Sequence, residues 1–380
     1  MNTRVVLHIS NDYSGSSVYK NLISKVDDLG VSQIVYTAVR DKSLMGRNRI
    51  HLKQSNSEII YSNILSKYVD RIFLRCKVRK ITRDVKSKIN LVDINCVHAH
   101  TWFSDGGVAY QIFKEFSIPY IVTIRNTDLN LFQKYLVHQR NFGMKILENA
   151  AKIVLISESY KERLMQQNSL RTIRQKLREK IIVIPNGVDD FWIENAVAQK
   201  KWPDLPVKVL YVGKFLRGKG VIQLQKAIEI LNSKGVLVHL HLIGGGGSMH
   251  KNVLSRVDRN PQTMFYHGEI KDNSVLKTYF ERSHFFAMPS KRETFGLVYA
   301  EALLQGLPIL YTSNEGIDGF YRENIGEKVV SVKIENIRQQ LFKLVENFDS
   351  YNIPILKIKK NHNWKAIAKI YEGIYDSVMN

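Results

Sequence analysis

The sequence predicts an α/β protein made of two doubly wound, mostly parallel sheets. Short apolar runs rich in β-branched residues alternate with stretches of helical periodicity, the order that builds a parallel sheet covered on both faces. That alternation breaks once, at a proline cluster, and then starts again. The chain has 380 residues, more than one ordinary domain holds and comfortable for two.

In the first half, Val5–Ile9, Gln33–Thr37, Val92–His98, Tyr120–Ile124, Ile153–Ile156 and Ile181–Ile184 read as buried strands. Between the first two, Val18, Leu22, Val26 and Leu29 recur at helical spacing. Trp202-Pro203-Asp204-Leu205-Pro206 is the break. Residues 1–190 are therefore assigned to a first domain, 191–206 to a linker and 207–361 to a second domain. New strands follow at Val207–Val212, Val236–Ile243, Met264–His267, His284–Met288 and Pro308–Tyr311.

Composition narrows the function. With 44% hydrophobic and 24% charged residues the chain folds, and disordered or collagenous classes are excluded. Its formal charge is +21: residues 1–190 carry 30 basic and 17 acidic side chains, net +13, and residues 191–380 carry 26 and 18, net +8. So basic a surface suits an anionic partner, whether nucleic acid, an acidic membrane face or phosphorylated substrates. Two cysteines, Cys76 and Cys96, build no disulfide framework and fit a reducing compartment. The opening MNTRVVLHIS has an apolar run too short for a secretory leader, and no window is apolar enough to span a bilayer.

The segment Val69–Ile89 holds eight Lys and Arg between Arg71 and Lys88. Ile72, Phe73, Cys76, Val85 and Ile89 fall near one helical stripe, so the segment reads as a basic amphipathic helix, either lying on anionic lipid or forming an ordinary solvated face.

The chemistry concentrates at loop starts. Phe285–Ser290 ends a strand, and Lys291-Arg292-Glu293-Thr294-Phe295-Gly296 leads into a helix. Free amides at a helix N-terminus attract an anion, and Gly296 permits close approach. Glu301 lies two turns beyond Glu293 at an offset of about 80°, so both carboxylates can face one ligand, or both can be solvated helix residues.

Val209–Val212 empties into Gly213-Lys214-Phe215-Leu216-Arg217-Gly218-Lys219-Gly220, a second anion candidate whose lysines suit a diphosphate, or a basic surface turn. The spacing is not that of an ATPase P-loop. Gly244–Gly247 and Ser14-Gly15-Ser16-Ser17 are weaker glycine signals. His98 and His100 end a strand with both imidazoles on one side, and Arg125 ends another; each can line a site or belong to the core. They lack the further ligands a zinc site requires, and no Asp-x-Asp pair suggests a metal-chelated diphosphate.

Together these motifs resemble the retaining group 1 (family 4) glycosyltransferases. Glu293-Thr294-Phe295-Gly296-Leu297 through Glu301 resembles the family's E-x7-E signature. Ile182-Val183-Ile184-Pro185-Asn186-Gly187-Val188-Asp189, the Gly213–Gly220 loop, Gly244–Gly247, Phe265–Ile270 and the late Asn363-Trp364 fall in family order.

The resemblance implies two facing Rossmann-like domains (GT-B architecture) with an interdomain cleft, and a last helix, 362–380, that packs back on the first domain. It implies that Glu293 contacts the transferred sugar, Glu301 the ribose diol, and Lys214, Lys219 and the amides of Thr294, Phe295, Gly296 and Leu297 the diphosphate. The backbone near Ile270 would hold the base, Gly15 would approach the donor, His100 would stand beside the reacting carbon, and Arg125 would meet donor or acceptor. Lys214 stands where the family has Arg, turning a bidentate clamp into a point charge, and Ser14 replaces a first glycine.

The expected function is therefore a retaining, metal-independent transfer of a sugar from a nucleotide-sugar, with a UDP-sugar favoured and a GDP-sugar the other donor expected. The expected acceptor is a lipid-linked or surface-polysaccharide glycan, used by a cytoplasmic protein held peripherally at an anionic inner membrane face. No cofactor is expected. A nucleotide-sugar epimerase of the same fold is the alternative. A basic nucleic-acid-binding protein fits less well, since no interleaved aromatic–basic strand occurs.

Overall fold

The computed structural model describes residues 4–125, 128–129, 137–198 and 205–379. Contacts divide them into two compact units. Unit 1 runs to Ile156, resumes over Lys161–Gly187 and takes the C-terminal segment from Trp364; unit 2 comprises Ser157–Tyr160 and Val188–Asn363.

Unit 1 is built on β1 (Val5–Ile9), β2 (Ser32–Ala38), β3 (Glu58–Ser62), β4 (Cys96–Ala99), β5 (Tyr120–Ile124), β6 (Lys152–Leu155) and β7 (Ile181–Val183). These pair in the order β3-β2-β1-β4-β5-β6-β7, every neighbour parallel. Unit 2 carries β8 (Val207–Val212), β9 (Val238–Ile243), β10 (Met264–Tyr266), β11 (Phe285–Ala287), β12 (Ile309–Thr312) and β13 (Gly326–Val329). Its order is β10-β9-β8-β11-β12-β13, again parallel throughout. Both are Rossmann-like sheets, with strand direction reversing its progress between β1 and β4 and between β8 and β11.

The apolar runs found the central strands most cleanly because those are buried on two faces, as β1 and β5 are along their whole length. The edges β3 and β13 escaped that reading. β3 is half-exposed and β13, Gly326-Glu327-Lys328-Val329, buries only its valine. The expected strand Val92–His98 begins only at Cys96: Asn90 caps a short turn over Leu91–Asp93, and Val92 is 85% exposed.

Unit 1 closes with the helix Trp364–Met379. Trp364, Ile367, Tyr371, Ile374 and Tyr375 pack on Leu22 and Val26 of the helix Ser17–Asp27 and on Val6, Cys96 and Ile121 of the sheet. Gly187 makes room for the indole, since a Cβ there would stand 2.5 Å from the Trp364 ring. The expected linker begins differently in the structure. Asp189 caps the helix Asp190–Glu194 by accepting from Phe191 N–H at 3.0 Å, and Trp192 is buried edge-on to Phe280 within unit 2. Pro203 lies outside the described residues.

The basic segment is not one helix. It forms a turn of helix, Val69–Ile72, and a longer helix, Leu74–Lys88, separated at Phe73 (φ −98°, ψ 75°). Leu74, Val78, Ile81 and Val85 are the buried face of the longer helix, and Ile89 is buried after it. The expected lipid-facing stripe is thus corrected: Val85 and Ile89 belong to the core. The exposed apolar side chains gather at the N-terminal end, at Tyr68, Val69, Ile72 and Phe73. Arg75, Arg79, Lys80, Arg83 and Lys86 form the exposed face behind them.

Trp364→Ala should cost about 3–5 kcal/mol, the range for deleting a buried large aromatic. The check is a lowered first melting transition in calorimetry, assigned to unit 1 by loss of Tyr371 and Tyr375 near-ultraviolet dichroism.

Candidate active site

In a doubly wound sheet the loops leaving the two central strands diverge and open a crevice at their carboxyl ends. In unit 2 these are the loop Gly213–Gly220 after β8 and the loop Met288–Gly296 after β11. They touch through backbone: Lys291 N–H donates to Gly218 O at 2.8 Å. Gly220, at φ +70°, lies so close to Pro289 that a Cβ would stand 2.2 Å from its carbonyl oxygen.

This contact brings Lys219 to Glu293, with Nζ 2.5 Å from Oε2 and both side chains mostly buried. Glu293 is held at every polar atom. Its Oε1 accepts from Thr294 N–H at 3.2 Å, and its own N–H donates to Glu315 Oε2 at 2.9 Å. Its carbonyl accepts Gly316 N–H at 2.9 Å and Tyr160 O–H at 3.0 Å. Gly296 then starts the helix Leu297–Leu304, whose first amides have no intrahelical acceptor. Phe295 is buried against His362 and Phe320, so its backbone and not its ring is offered. Tyr299 fixes the helix from inside by donating its hydroxyl to Met288 O.

Glu301, four residues into that helix, is partly buried. Burial, reinforced by the Asp189 carboxylate, pushes its carboxyl up to about 7. Lys214 is exposed, its carbonyl held by Tyr211 O–H at 3.1 Å. Ile270 is half-exposed beyond β10. The glycine run explains itself here: Gly244 N–H donates to Gly268 O at 2.7 Å, and a Cβ on Gly244 would stand 2.2 Å from Gly213 O. The loops after β8, β9 and β10 are thereby stacked on one another. Lys219, Glu293, Thr294, Phe295, Gly296 and Leu297 thus stand on two loops held together, with Lys214 exposed near the start of the first.

Unit 1 has the equivalent divergence between β1 and β4. Gly15, itself exposed, ends the short turn Tyr13–Gly15 after β1 whose Tyr13 and Ser14 are buried, and a Cβ there would meet Asp12 Oδ1 at 2.4 Å. His100 follows β4 and is part of a pile of three buried imidazoles, His8, His98 and His100. His8 Nδ1 and His100 Nε2 are 3.0 Å apart, and the His98 and His100 rings lie 4.2 Å apart, tilted by 31°. His98 is bracketed by Tyr375 Oη and Thr123 Oγ1, each at 2.9 Å. Arg125 Nε donates to His100 O at 3.1 Å, and its guanidinium lies 4.4 Å over the Tyr19 ring. Burial first, then the neighbouring imidazoles and Arg125, hold His100 well below the usual histidine range, so it is neutral. The ligand nitrogens of the three imidazoles lie within 4.8 Å of one another. Both His98 nitrogens are already engaged, and His8 and His100 bond each other.

Sequence reasoning passed over His8, Tyr375, Glu315 and Gly316, and it named Asp189 only as the end of a family-order motif. Only His8 carried a signal, a polar residue inside the otherwise apolar β1 run.

Residues 193–369 match the family described as glycosyl transferases group 1, and residues 16–190 match glycosyltransferase family 4. An uncharacterized glycosyltransferase of Methanocaldococcus jannaschii is 23% identical over 372 residues, spanning 94% of this chain and 93% of its own. A putative teichuronic acid biosynthesis glycosyltransferase of Bacillus subtilis is 22% identical over 293 residues, 73% of this chain and 70% of that one. In structure, the Anabaena protein Alr3699/HepE, solved in complex with UDP, shares the fold with a TM-score of 0.66 at 13% identity, covering 98% of this chain and all of the other.

Glu301 ionises at about 7 in the folded chain and near 4.5 when the chain is unfolded and the carboxyl solvated. The folded state therefore holds the proton longer, and stability is full below pH 4.5 and declines as pH rises through 7. Without added nucleotide, Glu301→Gln should be more stable than the parent at pH 8 by roughly 2–3 kcal/mol and equal to it at pH 4.5. Urea titrations at the two pH values read the difference.

Proposed function

Because the chain belongs to the group 1 glycosyltransferases, we propose that it moves a sugar from a nucleoside diphosphate, with retained anomeric configuration, onto a lipid-linked or surface-polysaccharide glycan. The observation that carries this reading is the Lys219–Glu293 pair on the crevice rim beside the Leu297 helix start. A UDP-sugar is favoured over a GDP-sugar by the fold shared with the UDP-bound Anabaena protein, and a cell-surface polysaccharide by the name of the Bacillus relative.

The chemistry follows from charge. As the bond between the anomeric carbon and the β-phosphate oxygen breaks, negative charge gathers on that phosphate. Lys219, Lys214 and the amides of Thr294–Leu297 receive it, so the positive charge needed is supplied by the protein without metal. To reach the phosphate, Lys219 Nζ leaves Glu293, whose carboxylate then accepts hydroxyls of the sugar. The acceptor hydroxyl oxygen bonds the anomeric carbon on the same face, and its proton passes to the departing phosphate. Glu301, ionised, accepts from the ribose diol; the backbone near Ile270 meets the base. Gly15 lets backbone approach the donor, His100 takes a hydroxyl of the transferred sugar, and Arg125 steadies His100 through its carbonyl.

The acceptor's lipid anchor suits the other surface of unit 1. Tyr68, Val69, Ile72 and Phe73 are 55–69% exposed, an apolar tip backed by the cations of the Leu74–Lys88 helix. Such a tip enters the headgroup boundary while the cations meet anionic lipid. No helix among the described residues is long and apolar enough to cross a membrane. We place the protein peripherally at the cytoplasmic face of the membrane.

Two measurements test these assignments. UDP should raise the melting temperature of the parent, and Lys219→Ala should abolish that rise. Glu293→Gln should keep or strengthen UDP binding by releasing Lys219, yet lower sugar transfer about 100-fold. Full transfer by Glu293→Gln, with an identified donor and acceptor, would overturn the site assignment.

The protein should co-sediment with vesicles of equal parts phosphatidylglycerol and phosphatidylethanolamine, but not with phosphatidylcholine. Ile72→Glu combined with Phe73→Glu should release it while leaving the UDP-induced shift intact.

A further inference from the structure

We propose that the cavity between the turn Tyr13–Gly15 and the loops after β2 and β3 seats the acceptor's sugar, and that this sugar is the one joined directly to the lipid phosphate. The inference rests on the reading of the chain as a transferase held at the membrane by Tyr68–Phe73. It narrows the acceptor from any surface glycan to a lipid that carries its first sugar.

The cavity lies within unit 1, where the chain leaves the parallel strands β1, β2 and β3 at their carboxyl ends. Its volume is about 260 Å³. That is below the roughly 300–1,000 Å³ of a pocket for a drug-sized ligand, and it suits a single ring. The frame around it is tied on both sides. Asn48, at φ +60°, donates its Nδ2 to Tyr13 O at 2.8 Å and to Ser16 O at 3.2 Å, and its carbonyl accepts Tyr13 O–H at 3.0 Å. Asn11 accepts Ala38 N–H at 3.3 Å and donates to Ser104 Oγ at 2.9 Å, which joins the turn to the end of β2 and to the helix Ser104–Phe116.

One polar atom of this frame is left over. Ser14 lines the cavity and is 3% exposed, and its buried hydroxyl has no hydrogen-bond partner among the described residues. A buried hydroxyl without a partner costs stability, and a ligand hydroxyl removes that cost. Ser14 also stands where the family has a glycine, so this hydroxyl is a feature of the present chain.

Charge then selects the kind of ligand. Two cations in the walls, Arg40 and Lys67, are matched by two carboxylates, Asp12 and Asp41. A bare phosphate gains from the first pair and is repelled by the second. A neutral polyol uses both, because each sugar hydroxyl donates one hydrogen bond and accepts others. Gly15 belongs to the same wall. It is the residue assigned to the donor's approach, so a ring in the cavity lies beside the transferred sugar.

Lys67 decides which sugar of the acceptor this is. It lines the cavity, and its Nζ stands 5.8 Å from the centre of the ring of Tyr68, the first residue of the apolar tip. With the tip in the headgroup boundary, Lys67 is at the level of the lipid phosphates. A ring in the cavity is then the one attached to such a phosphate, whose charge Lys67 meets. The outer sugars of a long glycan stand farther from the membrane than this seat. The acceptor therefore comes from a reaction that places a first sugar on a lipid phosphate.

The test is transfer by the full-length protein from UDP-glucose, UDP-galactose and UDP-N-acetylglucosamine to farnesyl diphosphates bearing one sugar or three, each ending in glucose, galactose or N-acetylglucosamine. Single-sugar acceptors should be preferred by about tenfold or more, the worth of the charged hydrogen bond from Lys67 that only they make. Ser14→Ala should raise the KM of the preferred acceptor about fivefold, the worth of one hydrogen bond, with the UDP-induced melting shift unchanged. Leu44→Trp, which fills the cavity from a half-exposed position, should raise that KM further and also spare the UDP shift. Equal or better transfer to the three-sugar acceptors would overturn the proposal, as would an acceptor KM that Leu44→Trp does not move. Transfer to none of these acceptors overturns it too, and the UDP shift then separates the two readings. A shift present in the parent and lost in Lys219→Ala leaves the donor site standing and removes only the acceptor seat; no shift at all removes both. Should Ser14→Ala fail to fold, Leu44→Trp and the one-against-three comparison decide the outcome.

Discussion

The close backbone approach of Gly220 to the Pro289 carbonyl is the constraint on which the rest of unit 2's crevice depends. Parallel strand order sends the loops after β8 and β11 apart, and unaided they would present Lys219 and Glu293 to solvent as two unrelated surface charges. Contact at Gly220, with Lys291 bonded to Gly218, draws the loops back together just beyond the sheet. Gly244 does the same one strand over, against Gly213. A side chain at either position would push the cationic loop away from the helix start. The glycines are thus geometric conditions for a charged site and need touch no ligand themselves.

What that geometry assembles is an ion pair in a half-buried setting, where attraction is stronger than at an open surface and desolvation already partly spent. Glu293 is held through its backbone by Glu315, Gly316 and Tyr160, so it cannot follow Lys219 when the lysine turns to another anion. A phosphate that takes Lys219 therefore leaves a fixed, unpaired carboxylate, and hydroxyl donors of a sugar are the natural replacement. Diphosphate recognition and sugar recognition become one exchange. Glu301 is different: buried beside Asp189, it bears its strain alone and is relieved by hydrogen-bond donors instead of a cation.

The fold was legible where burial was two-sided. Central strands such as β5 and β8 stand at the residues their apolar runs marked, because a strand covered on both faces has no polar alternation to confuse it. β3 and β13 were not legible: each begins on polar or glycine residues, and β13, Gly326-Glu327-Lys328-Val329, has a single apolar residue, so unlike the apolar edges β7 and β10 they resemble loops in composition. Loop motifs marked Lys219, Glu293 and Gly296, because a glycine or a charge next to a strand end is a local signal. Glu315 and Asp189 lacked such a signal: their roles come from loops that return to the site from elsewhere in the chain. The basic segment shows the reverse error. Val85 stands 13 residues beyond Ile72, about 220° round a helix of 3.6 residues per turn and so on another face, and the break at Phe73 separates them further, leaving one exposed and the other in the core.

The same distinction bears on the net charge of +21. Part of the excess is neutralised locally, as Lys86 with Glu115, Lys88 with Asp84 and Lys80 with Asp70 show along one helix. Lys77 of that helix is buried and, chiefly for that reason, loses its proton more readily than an ordinary lysine. A count of cations therefore overstates what the surface presents. What distinguishes this face from any basic helix is the exposed apolar tip at Tyr68–Phe73, because an anion in solution gains nothing from Ile72 or Phe73. A polynucleotide would want the cations spread along a groove with rings available for stacking. A lipid surface wants an apolar point with cations behind it, and that is the order in which the chain places them.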